Sequence, residues 1–243
     1  MNLDKRFSFE NFFLYLRKEN TIVFGDVHMG YEEALNKQGI LIPRTQYSLT
    51  AKRLEEFFEG KKFDKIVING DLKHEFGSIS ETEWRHTLRI IDYLALKCKK
   101  LILVKGNHDK ILGPIAEKRN IEIVDYLIMD DIFICHGHYI PDAIFSKKIK
   151  SVIVGHEHPA ISLMDYPRIE KFKCFLNGKW KGKELIVHPS FNLMTEGTDI
   201  LKEKLLSPFI EKVDSFRVFI LGREILDFGI VKDLKLAKQN FYF

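Results

Sequence analysis

Five short motifs rich in Asp, Asn and His follow one another along the chain, and four of them come directly after a short apolar run. The motifs are Gly25-Asp26-Val27-His28, Gly70-Asp71, Gly106-Asn107-His108-Asp109, His136-Gly137-His138 and Gly155-His156-Glu157-His158. Runs such as Ile22-Val23-Phe24 and Val152-Ile153-Val154, closed by Gly, Asp or His, are typical of buried β-strands. The motifs are therefore predicted to lie in loops at strand ends.

The first part of the chain alternates between predicted strands and helices. The predicted strands are Thr21–Phe24, Lys65–Ile68, Leu101–Val104, Ile132–Cys135 and Ser151–Val154. Apolar residues recur every three or four positions in Gln46–Phe58 and Glu83–Leu96, which predicts helices that pack on a sheet. Because ligands of open α/β sheets gather outside the carboxyl ends of the strands, the motifs are expected to share one pocket.

From about Ala160 the pattern becomes rich in predicted strands. These are Ile161–Met164, Lys171–Leu176, Glu184–Val187, Phe216–Leu221 and Glu224–Phe228. The aromatic segment Phe7–Leu16 fits either a further strand or a short helix. With 243 residues, 45% of them apolar, and no visible linker or repeat, the sequence predicts a single domain over residues 1–243.

Charge and cysteine content exclude some classes of protein. The net charge of +4 is too small to indicate a nucleic-acid partner by itself. Cys98, Cys135 and Cys174 have no CxxC spacing, which argues against a disulfide framework and against a thiolate zinc site. Since no apolar stretch approaches the roughly 20 residues of a membrane span, a soluble, cytoplasmic protein without a membrane partner is expected.

Carboxylate, amide and imidazole ligands without a thiolate suit divalent Mn, Fe, Co, Ni or Zn. Asp26 and His28 can bind one ion if the loop after their strand curls, which the small Gly25 permits. Asp71 is the natural bridging carboxylate, because one anionic oxygen can lie between two cations that otherwise repel each other. Further ligands are offered by the later motifs: Asn107, His136 or its neighbour His138, His156 and His158.

In this order, the motifs resemble those of the calcineurin-like metallophosphoesterase superfamily, from about Thr21 to Pro189. The resemblance implies an α/β fold, a four-layer α/β/β/α sandwich with two mixed sheets, and a dinuclear metal site. It implies that Asp26, His28 and His158 bind one ion, that Asn107, His136 and His156 bind the other, that Asp71 bridges them, and that His108 stays unbound as the catalytic acid. More loosely, residues 26–30, 70–75 and 188–192 resemble phosphoesterases found alongside DNA ligases and helicases, and their stand-alone archaeal relatives.

These features predict a dinuclear metal-dependent phosphoesterase, with a phosphodiesterase or nuclease acting on DNA, RNA or a nucleotide diester as the first choice. The metals are expected to be two divalent ions, with Mn²⁺ favoured and Fe, Ni, Co or Zn also suitable. A phosphomonoesterase acting on nucleotides or phosphoproteins is the enzymatic alternative. A non-catalytic scaffold subunit is the alternative from another class, although every expected ligand position is filled.

Several positions keep two interpretations. His74 stands where better-known phosphatases have the Asp that orients the catalytic His, so Glu75 or Asp109 is expected to take that role for His108, and His74 either touches substrate or is structural. The lysines and aromatic residues of Lys171–Lys183 indicate either a nucleic-acid surface or an ordinary hairpin. Residues expected to rim the pocket or to set selectivity are His188, Ser190, Asn192, Gly39–Thr45 and Phe76–Thr82.

Overall fold

The computed structural model describes residues 1–75, 80–109, 119, 121–165 and 167–240. Its first sheet has six strands in chain order: β1 (Phe7–Glu10), β2 (Phe13–Leu16), β3 (Thr21–Phe24), β4 (Phe63–Asn69), β5 (Cys98–Val104) and β6 (Glu122–Val124). The strands β1 to β3 pair antiparallel, whereas β3 to β6 pair parallel. The segment Phe7–Leu16 is therefore a hairpin of two strands.

Helices α1 (Tyr31–Lys37) and α2 (Gln46–Phe58) connect β3 to β4, and α3 (Glu81–Ala95) connects β4 to β5. The bounds of α2 are those predicted from its apolar spacing. Helix α3 begins two residues before its predicted start, because the hydroxyl of Ser80 caps it by accepting a hydrogen bond from the Glu83 N–H at 3.0 Å. Of the selectivity segment Phe76–Thr82, residues 76–79 lie outside the described residues.

The second sheet contains the predicted strand-rich part of the chain. Its strands are β7 (Tyr126–Met129), β8 (Ile132–Cys135), β9 (Ser151–Val154), β10 (Pro159–Asp165), β11 (Arg168–Trp180), β12 (Lys183–Val187), β13 (Thr198–Asp199), β14 (Arg217–Leu221) and β15 (Ile225–Ile230). The order is β13-β10-β11-β12-β9-β8-β7, with β14 paired to β11 and β15 paired to β14. The central strands β8, β9 and β12 are parallel, which makes this sheet mixed as well.

The two sheets pack face to face, and alternate residues of each strand enter the core between them. Phe9 of β1 and Phe175 of β11 stack across this core with ring centroids 4.3 Å apart. Helices α2 and α3 cover the outer face of the first sheet. The outer face of the second sheet is covered by helix α4 (Val231–Asn240), a 3₁₀ turn at Asp142–Phe145 and the mainly irregular segment 200–216. The predicted α/β fold with two mixed sheets is confirmed, and an irregular segment fills much of its fourth layer.

Six parallel strands end at one common edge of this sandwich. They are β3, β4 and β5 of the first sheet and β8, β9 and β12 of the second. A parallel bridge between Gly25 and Ser190 joins the two sheets there, and the N–H of Phe191 donates to the Gly25 carbonyl at 3.0 Å. Loops of both sheets therefore surround the same space. None of the described helices is long and apolar enough to cross a lipid bilayer.

Candidate metal centre

The seven predicted metal ligands lie at five of these strand ends. Asp26 and His28 follow β3, Asp71 follows β4, Asn107 follows β5, His136 follows β8, and His156 and His158 follow β9. All seven side chains are buried or half-buried. Residues that are up to 132 positions apart in the sequence are thus brought to one place by the topology of the two sheets.

Five of these seven residues have a left-handed backbone, which is uncommon for residues other than glycine. Their φ angles are 54° for Asp26, 49° for His28, 46° for Asp71, 66° for His156 and 51° for His158. Each such conformation costs about 1–3 kcal/mol and persists only when the surroundings hold it. It also turns each loop sharply, so that two side chains two residues apart can face the same point.

Asp26, His28 and His158 form the first group of ligand atoms. The Nε2 atom of His158 lies 3.3 Å from Oδ1 of Asp26 and 3.4 Å from Nε2 of His28. Two ligand atoms that each lie about 2.1 Å from one ion are at most about 4.2 Å apart. The three side chains are therefore spaced to bind a single cation.

The second group is centred on His136. Its Nε2 atom lies 3.1 Å from Oδ1 of Asn107 and 3.2 Å from Oδ2 of Asp71. A ligand atom of His156 lies within 4.8 Å of those of Asp71 and His136. His136, rather than its alternative His138, thus faces the other predicted ligands.

Asp71 lies between the two groups. Its Oδ2 atom is 3.2 Å from Nε2 of His136 and 3.7 Å from Nε2 of His28, which belong to different groups. Its other oxygen, Oδ1, accepts a hydrogen bond from the backbone N–H of His108 at 2.9 Å. This is the position that a bridging carboxylate needs.

The environment of Asp26 fits a bound cation. Its Oδ1 atom is buried, with Nε2 of His158 at 3.3 Å and Nδ1 of His136 at 3.5 Å, but no donor among the described residues is aligned to form a hydrogen bond with it. A buried carboxylate oxygen without a partner is unfavourable, and a cation at this position would compensate its charge. The surrounding oxygen and imidazole nitrogen donors suit Mn, Fe, Co, Ni or Zn.

The glycines that open the motifs leave room for the ligands. A Cβ atom on Gly70 would lie 2.0 Å from Nδ1 of His136, and one on Gly106 would lie 2.0 Å from Oδ1 of Asp71. Either contact would displace a ligand. The backbone of one motif therefore packs directly against the ligand of another.

The pKa values of the histidines differ because their surroundings differ. Burial, with the nearby His158, lowers the pKa of His28 to about 3, and burial together with His136 lowers the pKa of His156 to about 4. Burial also opposes charge on His136, but Asp71 and Asp26 outweigh it and raise its pKa to about 9. Metals bind the neutral imidazole, so His28 and His156 have the required form at neutral pH, whereas His136 must release a proton.

A family model of the calcineurin-like phosphoesterases matches residues 20–180, a segment that includes all seven predicted ligands. The chain belongs to the calcineurin-like phosphoesterase family. It is thus a metal-dependent phosphoric ester hydrolase. The predicted superfamily is confirmed, and so is the coarser functional prediction of a metal-dependent phosphoesterase.

Solved structures resemble this phosphoesterase to different degrees, all at low sequence identity. A nuclease, MPE of Pseudomonas putida, is 19% identical over 88% of this chain and 90% of its own, with a TM-score of 0.63. The protein of unknown function AQ665 of Aquifex aeolicus is 22% identical over 57% of this chain and 78% of its own, with a TM-score of 0.39. Vps29 of Entamoeba histolytica, in complex with Zn²⁺, is 16% identical over 86% of this chain and 99% of its own, also with a TM-score of 0.39. No curated protein matches the sequence.

His108, the predicted catalytic residue of this phosphoesterase, lies beside Asp71. Its Nε2 atom is 4.0 Å from Oδ2 of Asp71. Its other ring nitrogen, Nδ1, forms a hydrogen bond with the backbone carbonyl oxygen of His74. A backbone carbonyl therefore faces the nitrogen for which a carboxylate side chain was expected.

The two carboxylates expected in that role are engaged elsewhere. Asp109 accepts hydrogen bonds from the backbone N–H groups of Leu72 at 3.1 Å and of Gly106 at 3.0 Å. Burial raises the pKa of Asp109 to about 6. The Glu75 carboxylate lies 3.9 Å from the ammonium of Lys37. Asp109 thus joins the loops that carry Asp71 and Asn107.

His74 lies beside the predicted ligand His28, and ligand atoms of His28, His74 and His108 lie within 4.8 Å of one another. The Nδ1 atom of His74 lies 3.4 Å from Nδ1 of His28, whose Nε2 atom faces the other ligands. A partner on the second ring nitrogen commonly orients a metal-binding histidine. The half-buried His74 also lines a cleft beside the metal centre, together with Tyr31 and Lys171.

Gln46, at the start of α2, is a supporting residue that the motif pattern did not reveal. Its side-chain amide donates to the carbonyl oxygen of His28 at 2.8 Å and accepts from the N–H of Gly30 at 3.1 Å. Its own N–H donates to the buried carboxylate of Glu32 at 2.8 Å. These bonds hold the loop of His28 in its strained conformation.

The predicted rim segment 188–192 lies partly behind the site. His188 is fully buried, with Nδ1 3.9 Å from Oδ2 of Asp26. The Ser190 hydroxyl donates to the carbonyl oxygen of Asp26 at 2.9 Å. Asn192 alone of these three reaches the cleft. The segment therefore supports Asp26 more than it rims the pocket.

The stretch Lys171–Lys183 does not form an aromatic nucleic-acid surface. Phe175 is 0% exposed and Trp180 is 5% exposed, each within a hydrophobic core. The ammonium of Lys173 donates to the carbonyl oxygen of Ser190 at 2.9 Å, and burial lowers its pKa to about 7. Two of the three rings of this stretch are therefore not available for stacking with bases, and Phe172 is half-buried, which fits the alternative of an ordinary strand hairpin.

Glu157, between the predicted ligands His156 and His158, anchors their loop. Its Oε2 atom accepts hydrogen bonds from the N–H groups of Leu206 and Ser207, both at 2.8 Å. We expect Glu157→Ala to lower the free energy of unfolding by about 1–3 kcal/mol. Because the two histidines lose their support, Mn²⁺ affinity should fall about 10–100-fold.

Urea unfolding and calorimetric titration with Mn²⁺ measure these two effects. Glu170→Ala, which removes an exposed carboxylate from β11, is the control and should change neither quantity. Wild-type Mn²⁺ affinity in Glu157→Ala would show that the loop holds its conformation without this carboxylate.

Proposed function

We propose that this phosphoesterase is a phosphodiesterase or nuclease that hydrolyses nucleic-acid or nucleotide diesters with two divalent metal ions. The observation that carries the proposal is the position of Asp71, whose Oδ2 atom joins two groups of ligand atoms. Two such groups around a shared carboxylate are the arrangement of two-metal phosphate chemistry. The single domain over residues 1–243 and the cytoplasmic location remain predictions.

In this proposal each ion takes ligands from both sheets. Asp26, His28 and His158 would hold one ion, Asn107, His136 and His156 would hold the other, and Asp71 would bridge them. We favour Mn²⁺, because the donors are oxygen and imidazole nitrogen without a thiolate. When bound, such ions lower the pKa of water and neutralise charge on phosphate oxygens.

The protein itself positions the groups and supplies a proton. His108 lies beside Asp71 and outside the two groups of predicted ligands. We assign it, as the imidazolium with a proton on each ring nitrogen, the transfer of the Nε2 proton to the leaving ester oxygen, which leaves a neutral ring that keeps its Nδ1 proton. The Nδ1 atom stays bound to the carbonyl of His74, so the ring keeps its orientation during the transfer. General acid catalysis of this kind contributes about 10²–10⁴ in rate.

The cleft beside the site supports a diester substrate. It has a volume of about 500 Å³ and runs from His28 and His158 past Tyr31 to Lys171, a size within the range of small-molecule sites. It therefore offers space for a group on the far side of the phosphate. Lys171 lines this cleft while its ammonium pairs with the Glu203 carboxylate at 3.2 Å. The similarity to a Pseudomonas putida nuclease supports nucleic acid as the source of the diester.

A comparison of two chromogenic esters tests this proposal. The protein is stripped with a chelator, reloaded with Mn²⁺ and assayed on bis(p-nitrophenyl) phosphate and p-nitrophenyl phosphate. We expect kcat/KM to favour the diester by about tenfold or more, which corresponds to about 1.4 kcal/mol. The reason is that the diester carries less negative charge and fills the cleft with its second ester group.

The control for this test is the stripped protein without added metal, which should hydrolyse neither ester. Preference for the monoester would favour the phosphomonoesterase alternative. Turnover of neither ester by protein that holds two ions would favour a scaffold. A following screen with single-stranded DNA, duplex DNA, RNA and cyclic nucleotides identifies the class of diester.

A further inference from the structure

The buried carboxylate of Glu83, on α3, forms hydrogen bonds with the loop that follows Asp71. Its Oε1 atom accepts hydrogen bonds from the N–H groups of His74 at 3.0 Å and of Glu75 at 3.1 Å. A glutamate at this third position of a helix usually binds the N–H of its own cap residue. Here the cap Ser80 bonds to the Glu83 N–H, while the Glu83 carboxylate binds a different loop.

The space for this carboxylate is provided by Gly30. A Cβ atom on Gly30 would lie 2.6 Å from Cδ of Glu83, too close for any side chain. Glu83 is only 1% exposed, and burial raises its pKa. A buried carboxylate with two backbone donors is held in one position, so the loop that it binds is held as well.

One peptide group links Glu83 to His108. The N–H of Glu75, which Glu83 binds, and the carbonyl of His74, which faces Nδ1 of His108, belong to the same peptide bond. Because a trans peptide is planar, its N–H and C=O point in opposite directions. Fixing the N–H on one side therefore fixes the direction of the C=O on the other. Polarisation along the chain of hydrogen bonds also makes that carbonyl a stronger acceptor.

A second contact fixes the same loop relative to His108. The ammonium of Lys73, which is 0% exposed, donates to the carbonyl oxygens of Glu75 and His108. Lys73 thus connects the backbone of His108 to the segment His74–Glu75, which also contains the carbonyl that accepts the hydrogen bond from the His108 ring. Both the main chain and the side chain of His108 are therefore held in position relative to the His74–Glu75 peptide, whose N–H binds Glu83.

We propose that Glu83 is a positioning residue for His108 and acts through the His74–Glu75 peptide. This inference rests on the proposed role of His108 as proton donor. With Nδ1 held by the carbonyl, Nε2 faces Asp71 and the site, and its proton passes to the leaving oxygen as the phosphorus–oxygen bond breaks. The peptide connects a carboxylate to the imidazole at the place where better-known phosphatases use the side chain of an aspartate.

Leaving-group dependence distinguishes this role from simple support of the fold. A nitrophenolate leaves without a proton, whereas the alkoxide of a dinucleotide needs one. In the Mn²⁺-loaded full chain, we expect Glu83→Ala to lower kcat on the dinucleotide thymidylyl-thymidine about 10–100-fold. Turnover of bis(p-nitrophenyl) phosphate should stay within about threefold, because positioning of the acid matters only where a proton is transferred.

Four further variants complete the experiment. Glu83→Gln keeps an acceptor oxygen and should retain most dinucleotide activity, and Glu81→Ala, an exposed carboxylate in the same helical turn, should retain all of it. The double variant Glu83→Ala with His108→Ala should be no slower than His108→Ala. If Glu83→Ala does not fold, Glu83→Asp, which is one methylene shorter, takes its place with the same expected loss.

Two results would overturn the inference while the proposed role of His108 stands. An equal loss on both substrates, or additive losses in the double variant, would leave Glu83 a structural residue while His108 keeps its role. If His108→Ala itself slows both substrates equally, the proposed proton transfer fails, and the inference fails with it. Metal content and the unfolding midpoint are measured for each variant, so that loss of ions or of folded protein is separated from loss of catalysis.

Discussion

Asp71→Asn will lose its metal pair and its phosphoesterase activity. The substitution keeps the size of the side chain but removes the negative charge that lies between the two groups of ligands, 3.2 Å from His136 and 3.7 Å from His28. Without that charge, two cations about 3.5–4 Å apart repel each other strongly. We expect fewer than two ions per chain and a fall in kcat of about 10³-fold or more, since single preorganised groups already contribute 10²–10³.

Elemental analysis after reloading with Mn²⁺, together with turnover of bis(p-nitrophenyl) phosphate, measures this prediction. Asp233→Asn removes an exposed carboxylate of α4 and should keep both ions and full activity. If Asp71→Asn bound two ions and turned over normally, Asp71 would not be the bridging ligand.

His108→Ala is expected to separate metal binding from catalysis. His108 lies outside both ligand groups, with Nε2 4.0 Å from Asp71, so the variant should keep its full complement of Mn²⁺. Without the proton donor, turnover of a diester with an unactivated leaving group, such as a dinucleotide, should fall about 10²–10⁴-fold. Turnover of bis(p-nitrophenyl) phosphate should fall much less.

The matched control is His86→Ala. His86 lies on α3, and its ring stacks on Tyr47 with centroids 4.3 Å apart, outside the predicted ligand set. This variant should keep wild-type kinetics on both substrates. Full dinucleotide turnover by His108→Ala would refute the role assigned to His108.

The strands and helices that carry the site, and the positions of its motifs at strand ends, could be predicted from the sequence because each is visible in a short stretch of residues. An apolar run closed by a ligand is visible within five residues, as in Ile22–Asp26, and the parallel order of such runs brings their ends together. The helix Gln46–Phe58 was equally clear, since its apolar spacing needs no partner to be recognised. The hairpin Phe7–Leu16 is ambiguous in the sequence, because its two strands form by pairing with each other and, through β2, with β3.

The contacts that hold the ligands could not be predicted, because they join distant segments and follow no period. Gln46 donates a hydrogen bond to the carbonyl oxygen of His28, and Glu157 accepts one from the N–H of Ser207. The His74 carbonyl oxygen accepts one from the ring N–H of His108. Each depends on where a loop passes in space. The buried ammonium of Lys173 shows the same limit, since an alternating strand pattern does not tell a snorkelling lysine from a lysine that binds carbonyl groups.

Each ion of the proposed pair would take ligands from both sheets, with Asp26 and His28 from one side and His158 from the other. The metals would then cross-link the two sheets of the sandwich along their shared edge. A ligand that binds only the folded state raises its stability. Chelation should therefore weaken the contact between the two sheets as well as abolish hydrolysis. The melting temperature and the activity are then expected to decline together as the ions are withdrawn.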